Sequence, residues 1–311
     1  MEGKNQTVLT EFILLGFSDL SKLQSLLFLV FLATYILTVL GNIGIIITIR
    51  TDHRLHTPMY FFLTNLSFID FCYSTTITPN TLASFLVEGK SISLIGCATQ
   101  LCCSAMLATA ECFLLAVMAY DRYVAICNPL LYTVVMTRRV RIQLMTSVYI
   151  GGLVHSLIQA GSVFSLSFCG PNEINHFYCD APPMLKLSCS YTFLNEIVLS
   201  IFSSFVTTLP MLVIILSYSH IISAILRIHS AEGRRKAFST CTSHFVTVTL
   251  FFGTIIIMYV IPNSSFSQNN DRVVSLVYTV IIPMVNPMIY SLRNNDVKEA
   301  LRKIIVKKLI F

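Results

Sequence analysis

Charge is what this sequence has least of. Asp, Glu, Lys and Arg make up 12% of its residues, against about one quarter in soluble proteins, and the mean hydropathy is +0.74. A soluble globular domain is thereby excluded. Tryptophan is absent, and no hydrolase, kinase or nucleotide-binding motif occurs. The two halves do not repeat, which argues against the paired repeats of many transporters. No small-residue cleavage site follows the polar stretch Met1–Ser25, and the next apolar run, 24 residues long, exceeds a signal-peptide core. That run is expected to be retained.

Seven apolar runs fill the chain instead: Leu26–Ile49, Met59–Asn80, Cys97–Tyr120, Ile142–Phe164, Ile197–Leu226, Phe238–Ile261 and Val273–Leu292. Each has the length of a tilted spanning helix. The expected fold is an all-α membrane protein, a seven-transmembrane-helix bundle. It divides into an extracellular tail (1–25), a transmembrane domain (26–292) and a cytoplasmic amphipathic helix with its tail (293–311). The third run organises the rest. From Cys97 to Asp121 there are 24 residue steps, about 36 Å as a helix, enough to cross a core of about 30 Å. It carries one acid, Glu111, and closes on Asp121, Arg122 and Tyr123. An acid at bilayer depth must face the bundle, so this helix is expected at its centre.

Basic residues set the orientation. With the N-terminus outside, 16 Lys and Arg fall on inner segments and 5 on outer ones, the bias expected of cytoplasmic loops. The net charge of +6 then reads as topology and attraction to anionic inner-leaflet lipid, with no need for nucleic acid. Sequons at Asn5 and Asn263 fall on the outer side, whereas the one at Asn65 lies within an apolar run. Cys97, Cys169, Cys179 and Cys189 also lie at or beyond the outer boundary, where disulfides persist. Four cysteines allow three pairings. Cys97 is placed to pin the long loop Ser165–Glu196, and the expected bridges are Cys97–Cys179 and Cys169–Cys189. With no core of its own, that loop would be held as a lid by the two bridges. Metal binding by His176, Cys179 and Asp180 competes poorly, since the spacing is not a usual zinc pattern and a disulfide consumes the thiol.

Inside the runs the polar residues are few: Asn42, Asp70, Glu111, Asn286 and Tyr290, with Pro287 beside them. Asp70 and Glu111 cannot both stay charged in an apolar medium without a cation or proton between them. A sodium ion or a shared proton would serve, and plain helix-to-helix hydrogen bonding is the alternative. No helix carries a second acid or base further outward to extend a proton path.

The motifs then carry a resemblance over essentially the whole chain. "GN" at Gly41-Asn42, "LHTPMYFFL" from Leu55, "LSFIDFC" from Leu66, "MAYDRYVAICNPLLY" from Met118, "SY" at Ser217-Tyr218, "KAFSTCTSHF" from Lys236 and "PMVNPMIYSLRN" from Pro283 follow in order. The sequence resembles an odorant receptor of the rhodopsin-like class of G-protein-coupled receptors. The resemblance implies that Asp121 holds Arg122 at rest and that Arg122 is released into a crevice which a G-protein helix fills. It implies that Tyr123, Tyr218, Phe252, Pro287 and Tyr290 belong to the same switch. Phe252 stands where most of the class has tryptophan and odorant receptors commonly have tyrosine, so the aromatic plug lacks a hydroxyl.

Faces locate a ligand. Ser104, Ala105, Ala108 and Thr109 form a small-residue face about 10 to 18 Å below Cys97. Phe202, Val206, Ile255, Ile256, Tyr259 and Thr279 lie at matching depth, and by resemblance these positions line the odorant cavity. Aliphatic and aromatic walls with a few hydroxyls suit a small, mostly apolar molecule. No acid stands on the outer half of the third run and no lysine between Val273 and Leu292, which sets aside amine receptors and opsins. After Asn294, a stripe of Val297, Leu301, Ile304, Ile305, Lys308 and Leu309 fits a short helix on the inner leaflet, without a cysteine for acylation. The expected function is that of an odorant receptor, not an enzyme. Its partners would be a small lipophilic odorant, a heterotrimeric stimulatory G protein raising cyclic AMP, and membrane lipid. It would sit in the plasma membrane of sensory cilia. The competing functions are a transporter or ion conductor, and a receptor of the same family for a non-olfactory metabolite.

Overall fold

The computed structural model describes residues 10–17, 22–87, 91–169, 172–260, 268–293 and 295–309; at 236, 239–240, 257–260, 268–271, 291–293, 295 and 304–309 it describes the backbone. The sequons at Asn5 and Asn263, and the side chains of Tyr259, Ile304, Ile305, Lys308 and Leu309, lie outside the described residues.

Backbone amides that leave water must bond within their own segment, and the apolar runs accordingly become helices. In chain order these are α1 (Gln24–Thr51), α2 (Pro58–Leu86), α3 (Leu94–Cys127), α4 (Tyr132–Val135), α5 (Arg138–Phe164) and α6 (Ala181–Leu185), followed by α7 (Phe193–Leu226), α8 (Ala231–Val260), α9 (Gln268–Leu276), α10 (Ile282–Arg293) and α11 (Asn295–Leu309). Local chemistry sets the ends. Pro58 opens α2, where its missing N–H costs nothing. Ser93 caps α3 by accepting from Gly96 N at 3.1 Å, and Thr137 caps α5 by accepting from Val140 N at 3.4 Å.

The result is an all-α membrane bundle. Among the described residues, α1, α3, α5, α7 and the stretch Arg272–Tyr290 are long and apolar enough to cross a membrane, and Cys241–Ile256 of α8 is a shorter apolar stretch. The helix α2, richer in Thr, Ser and Asn, packs between α1 and α3. The helix α3 is the centre: 61% of its apolar window is buried, against 17–44% for the other four candidate spans, and it packs on α2, α5, α7 and α8. Close approach to α5 is enforced at Gly152, where a Cβ would stand 2.7 Å from the Met106 carbonyl oxygen. The last apolar run is not one regular helix, because a π-helical turn, Val277–Ile281, joins α9 to α10.

One end of the bundle carries a small sheet absent from the sequence reading. Strand β1 (Glu11–Leu14) lies between β2 (Ser91–Ser93) and β3 (Glu173–Ile174), antiparallel to the first and parallel to the second. Glu11 pairs with Ser93, and Ile13 with both Ser91 and Glu173. Gly16 turns the chain away with φ +53°, a conformation that favours glycine. The long loop has no core of its own and shares one with β1 and the helix ends. Phe12, fully buried, enters a cluster with Leu101, Val163, Ile174, Met184 and Leu199 around the buried Cys97 and Cys179. Part of the supposed tail is the middle of the lid.

Candidate functional site

At the end opposite the sheet, Arg122 is held in the closed arrangement the motif suggests. Its Nη2 donates to Asp121 Oδ2 at 2.7 Å, and the Tyr132 hydroxyl donates to Asp121 Oδ1 at 2.9 Å. Asp121 is 1% exposed and Arg122 7%. A buried pair of this kind contributes little net stability, yet removing one partner strands a charge, at a cost of about 3–5 kcal/mol. That asymmetry suits a switch. Sequence reasoning gave no role to Tyr132, which closes the "MAYDRYVAICNPLLY" block and opens the single-turn helix α4.

Beside this pair, Tyr218 of α7 and His244 of α8 are joined. His244 Nε2 lies 3.1 Å from the Leu115 carbonyl oxygen of α3. A carbonyl only accepts, so Nε2 carries the hydrogen and Nδ1 accepts from the Tyr218 hydroxyl at 2.7 Å. Three helices are thus tied at one imidazole. His244 was assigned no role from sequence, although it stands in the "KAFSTCTSHF" block. Tyr290 is also buried.

In the middle of the bundle, Asp70 and Glu111 are fully buried. Asn286 Nδ2 donates to Asp70 Oδ2 at 3.0 Å, and Asn42 Nδ2 donates to the Pro283 and Thr38 carbonyls at 3.0 Å each. Asp70 Oδ1 and both Glu111 oxygens are buried without a hydrogen-bond donor. Such an acceptor-only set fits a small hard cation or a shared proton.

Between this layer and the sheet lie the residues proposed for ligand contact. Ser104 and Thr279 are buried, with hydroxyls donating to Leu101 O at 3.1 Å and Ser275 O at 2.8 Å. Ala108 packs against the cluster of Tyr73, Ile77, Phe177 and Tyr178, as Leu276 and Tyr278 do. Val206 and Ile255 pack with Phe251 and Phe252, and Phe252 is 3% exposed. Ala105 is half-buried. Phe202 and Ile256 keep 37% exposure each, so neighbouring helices leave them uncovered. Thr109 turns to α5, where its hydroxyl meets His155 Nδ1 at 2.8 Å.

The loop covering these residues is bridged as expected. Cys97 is bonded to Cys179 and Cys169 to Cys189, with Cα separations of 5.5 and 5.8 Å. Beneath it the Tyr178 and Tyr278 hydroxyls are 2.6 Å apart, and Tyr178 donates to Asp180 Oδ2 at 3.1 Å. His176, 3% exposed, has Nε2 3.2 Å from Ser275 Oγ and lies between the rings of Phe177 and Tyr178. Burial, with the Arg272 charge nearby, lowers its pKa to about 4. Among the described residues no three of His, Cys, Asp and Glu cluster as metal ligands.

Known proteins match this arrangement along its length. The family model described as "Olfactory receptor" covers residues 31–308. Olfactory receptor 5AP2 of Mus musculus is 54% identical over 98% of this chain and 96% of its own. Olfactory receptor 5AP2 of Homo sapiens is 52% identical over 100% of this chain and 98% of its own. Olfactory receptor 5F1 of Homo sapiens is 52% identical over 99% of this chain and 98% of its own. With the helical bundle and its buried Arg122–Asp121 pair, these matches establish that the chain belongs to the olfactory receptor family, a receptor and not an enzyme.

Proposed function

We propose that this olfactory receptor crosses the plasma membrane seven times with the sheet end outside and the Arg122 end in the cytoplasm. It binds small, mostly apolar volatile molecules and activates the stimulatory G protein of the olfactory type, raising cyclic AMP, in sensory cilia. Residues 1–25, 26–292 and 293–311 would then be the outer segment, the transmembrane domain and the inner amphipathic helix, with Asn5 glycosylated and Asn263 a second acceptor. The ligand lies against Ser104, Ala105, Ala108, Val206, Ile255 and Thr279, with Tyr259 as the hydroxyl of the wall. Phe202 and Ile256 stand at its edges, and Thr109 sets the wall through His155.

The observation that carries the reading is Asp121, buried and shared by Arg122 and Tyr132. Ligand binding against Phe252 shifts α8. The Tyr218–His244 tie then opens, and Arg122 leaves Asp121 for the crevice that receives the G protein, with Tyr123, Tyr290 and the bend at Pro287 part of the same movement. A sodium ion held by Asp70 and Glu111 would supply positive charge between two carboxylates and favour the closed state. The test is a screen of diverse volatiles on cells displaying the receptor, with cyclic AMP as the readout and Arg122→Ala as the silent control. Ion flux through purified protein, with no nucleotide exchange on a G protein, would overturn it.

A further inference from the structure

The basic residues at the Arg122 end are not equivalent. Arg54 pairs with Asp52 at 2.8 Å and Glu299 at 3.4 Å, Lys303 with Glu299 at 2.9 Å, and Arg122 with Asp121. Arg138 and Arg139, in the first turn of α5, have no carboxylate partner among the described residues. From Arg122 to Asn172 the chain contains no Asp or Glu, and Asp121 is already engaged by Arg122 and Tyr132.

Arg138, Arg139, Ile142 and Gln143 are all exposed and line a groove of about 450 Å³. Behind it the Arg141 guanidinium lies 5.6 Å from the centre of the Phe61 ring, with its Nε buried and unbonded. The groove thus has two guanidinium groups on it, those of Arg138 and Arg139, and an apolar floor at Ile142. Spacings of three and four put its lining on one helix face. That face continues as Ile150, Leu153, Val154 and Leu157, each between 43% and 57% exposed. From Arg139 to Leu153 the helix rises about 21 Å, roughly a headgroup layer plus half of a 30 Å core.

A basic head followed by an exposed apolar stripe has the form of one phospholipid. We propose that the first turn of α5 binds an inner-leaflet phospholipid whose headgroup carries phosphomonoester charge, with phosphate on Arg138 and Arg139 and an acyl chain along Ile142, Ile150 and Val154. Paired guanidinium forks suit phosphate oxygens, and the stripe selects a lipid over a soluble phosphate. The placement in the inner leaflet rests on the orientation proposed above; the binding itself does not.

The test uses the full-length receptor in nanodiscs of neutral lipid, doped either with phosphatidylinositol bisphosphate or with phosphatidylserine at equal charge. Native mass spectrometry counts the lipid retained. The native receptor keeps the bisphosphate lipid in preference to phosphatidylserine, and Arg138→Gln with Arg139→Gln lowers its retention fivefold or more. Arg234→Gln with Arg235→Gln, an equal charge loss near the start of α8, changes it less than twofold. Equal losses from the two pairs, or no preference over phosphatidylserine, would overturn the site. Competition by soluble inositol trisphosphate as strong as by the lipid would refute the lipid assignment. Should the arginine pair prove unable to fold, Ile142→Gln serves: it is expected to cut retention threefold or more, and undiminished retention counts against the proposal. Discs are open on both faces, so an epitope tag between α4 and α5 that reads outside on intact cells refutes the orientation and leaves lipid retention standing.

Discussion

Tyr218 and His244 meet face to face, their rings 4° from parallel with centroids 5.8 Å apart, and share a 2.7 Å hydrogen bond. The imidazole spends its other nitrogen on Leu115, so a single side chain fastens α8 to both α7 and α3. His244→Phe keeps the ring and removes both bonds. Basal cyclic AMP is expected to rise at matched surface level. Tyr218→Phe on top of it should add less than it does alone, because the two residues act as a unit. Full additivity would show that the tie does not act as a resting lock.

Arg122→Ala is expected to abolish agonist-dependent cyclic AMP while surface display persists, since the crevice loses its guanidinium whereas the stranded Asp121 keeps the Tyr132 hydroxyl as a donor. Asp121→Ala is expected to behave otherwise. It leaves Arg122 buried without its partner, a penalty of about 3–5 kcal/mol, so thermal stability should fall. A normal response from Arg122→Ala would remove this residue from the coupling path.

The bridges should differ in weight. Cys97–Cys179 closes 82 residues and Cys169–Cys189 closes 20, worth about 4.5 and about 3.3 kcal/mol on the chain-entropy scale. The first also sits inside the buried cluster with Phe12 and Leu101. Cys97→Ser should therefore lose most surface delivery and Cys169→Ser less. Surface immunostaining measures the order; peptide mapping without reduction checks the pairing.

Ala108→Leu should weaken responses to bulky agonists before small ones. Ala108 packs against the cluster that holds Tyr178, whose hydroxyl is already bonded to Tyr278, so added carbon has little room to displace it. Overpacking costs about 1–3 kcal/mol, on the order of 5- to 150-fold in potency. Tyr259→Phe should affect only agonists carrying an oxygen. An unchanged agonist ranking in both variants would move the cavity elsewhere.

Acid should loosen the lid. His176 has a depressed pKa of about 4 in the fold, against about 6.5 when unfolded. Below pH 6.5 the unfolded chain takes up a proton that the folded one refuses, so stability falls as pH drops from about 6.5 toward 4, and is flat above. Charged groups around the ring are Arg272, which donates to the Gly16 carbonyl and to Asn175, and Asp180 beyond Tyr178. A melting temperature followed from pH 7.5 to 4.5 should slope downward, and His176→Phe should remove much of that slope.

Much of the bundle was legible because spanning helices announce themselves locally. The run Cys97–Tyr120 became α3, and Ile142–Phe164 became most of α5. What was not legible depended on distant partners. Strand β1 is four residues long, and neither β2 nor β3 can be recognised from its sequence. Neighbouring positions of α3 part company because one residue step is about 100° of rotation: Ala108 packs under the lid while Thr109 faces His155. His155 is the one histidine of the run Ile142–Phe164, and its partner Thr109 is on another helix. The π-helical turn before α10 left no mark in hydropathy, which records composition and not hydrogen-bond register.

The middle position of β1 imposes an order on biogenesis. This strand is made before either of its neighbours, and the parallel one at Glu173–Ile174 follows some 160 residues later, about 8 to 30 seconds at ordinary elongation rates. Until Ser91–Ser93 is made both edges of β1 are unpaired, and until Glu173–Ile174 follows one edge still is, an opening for mispairing. Closure of the sheet therefore reports that β1, β2 and β3, and with them the helices made between them through α5, have come to one end of the bundle. A receptor that inserts wrongly keeps an open strand for the retention machinery to find.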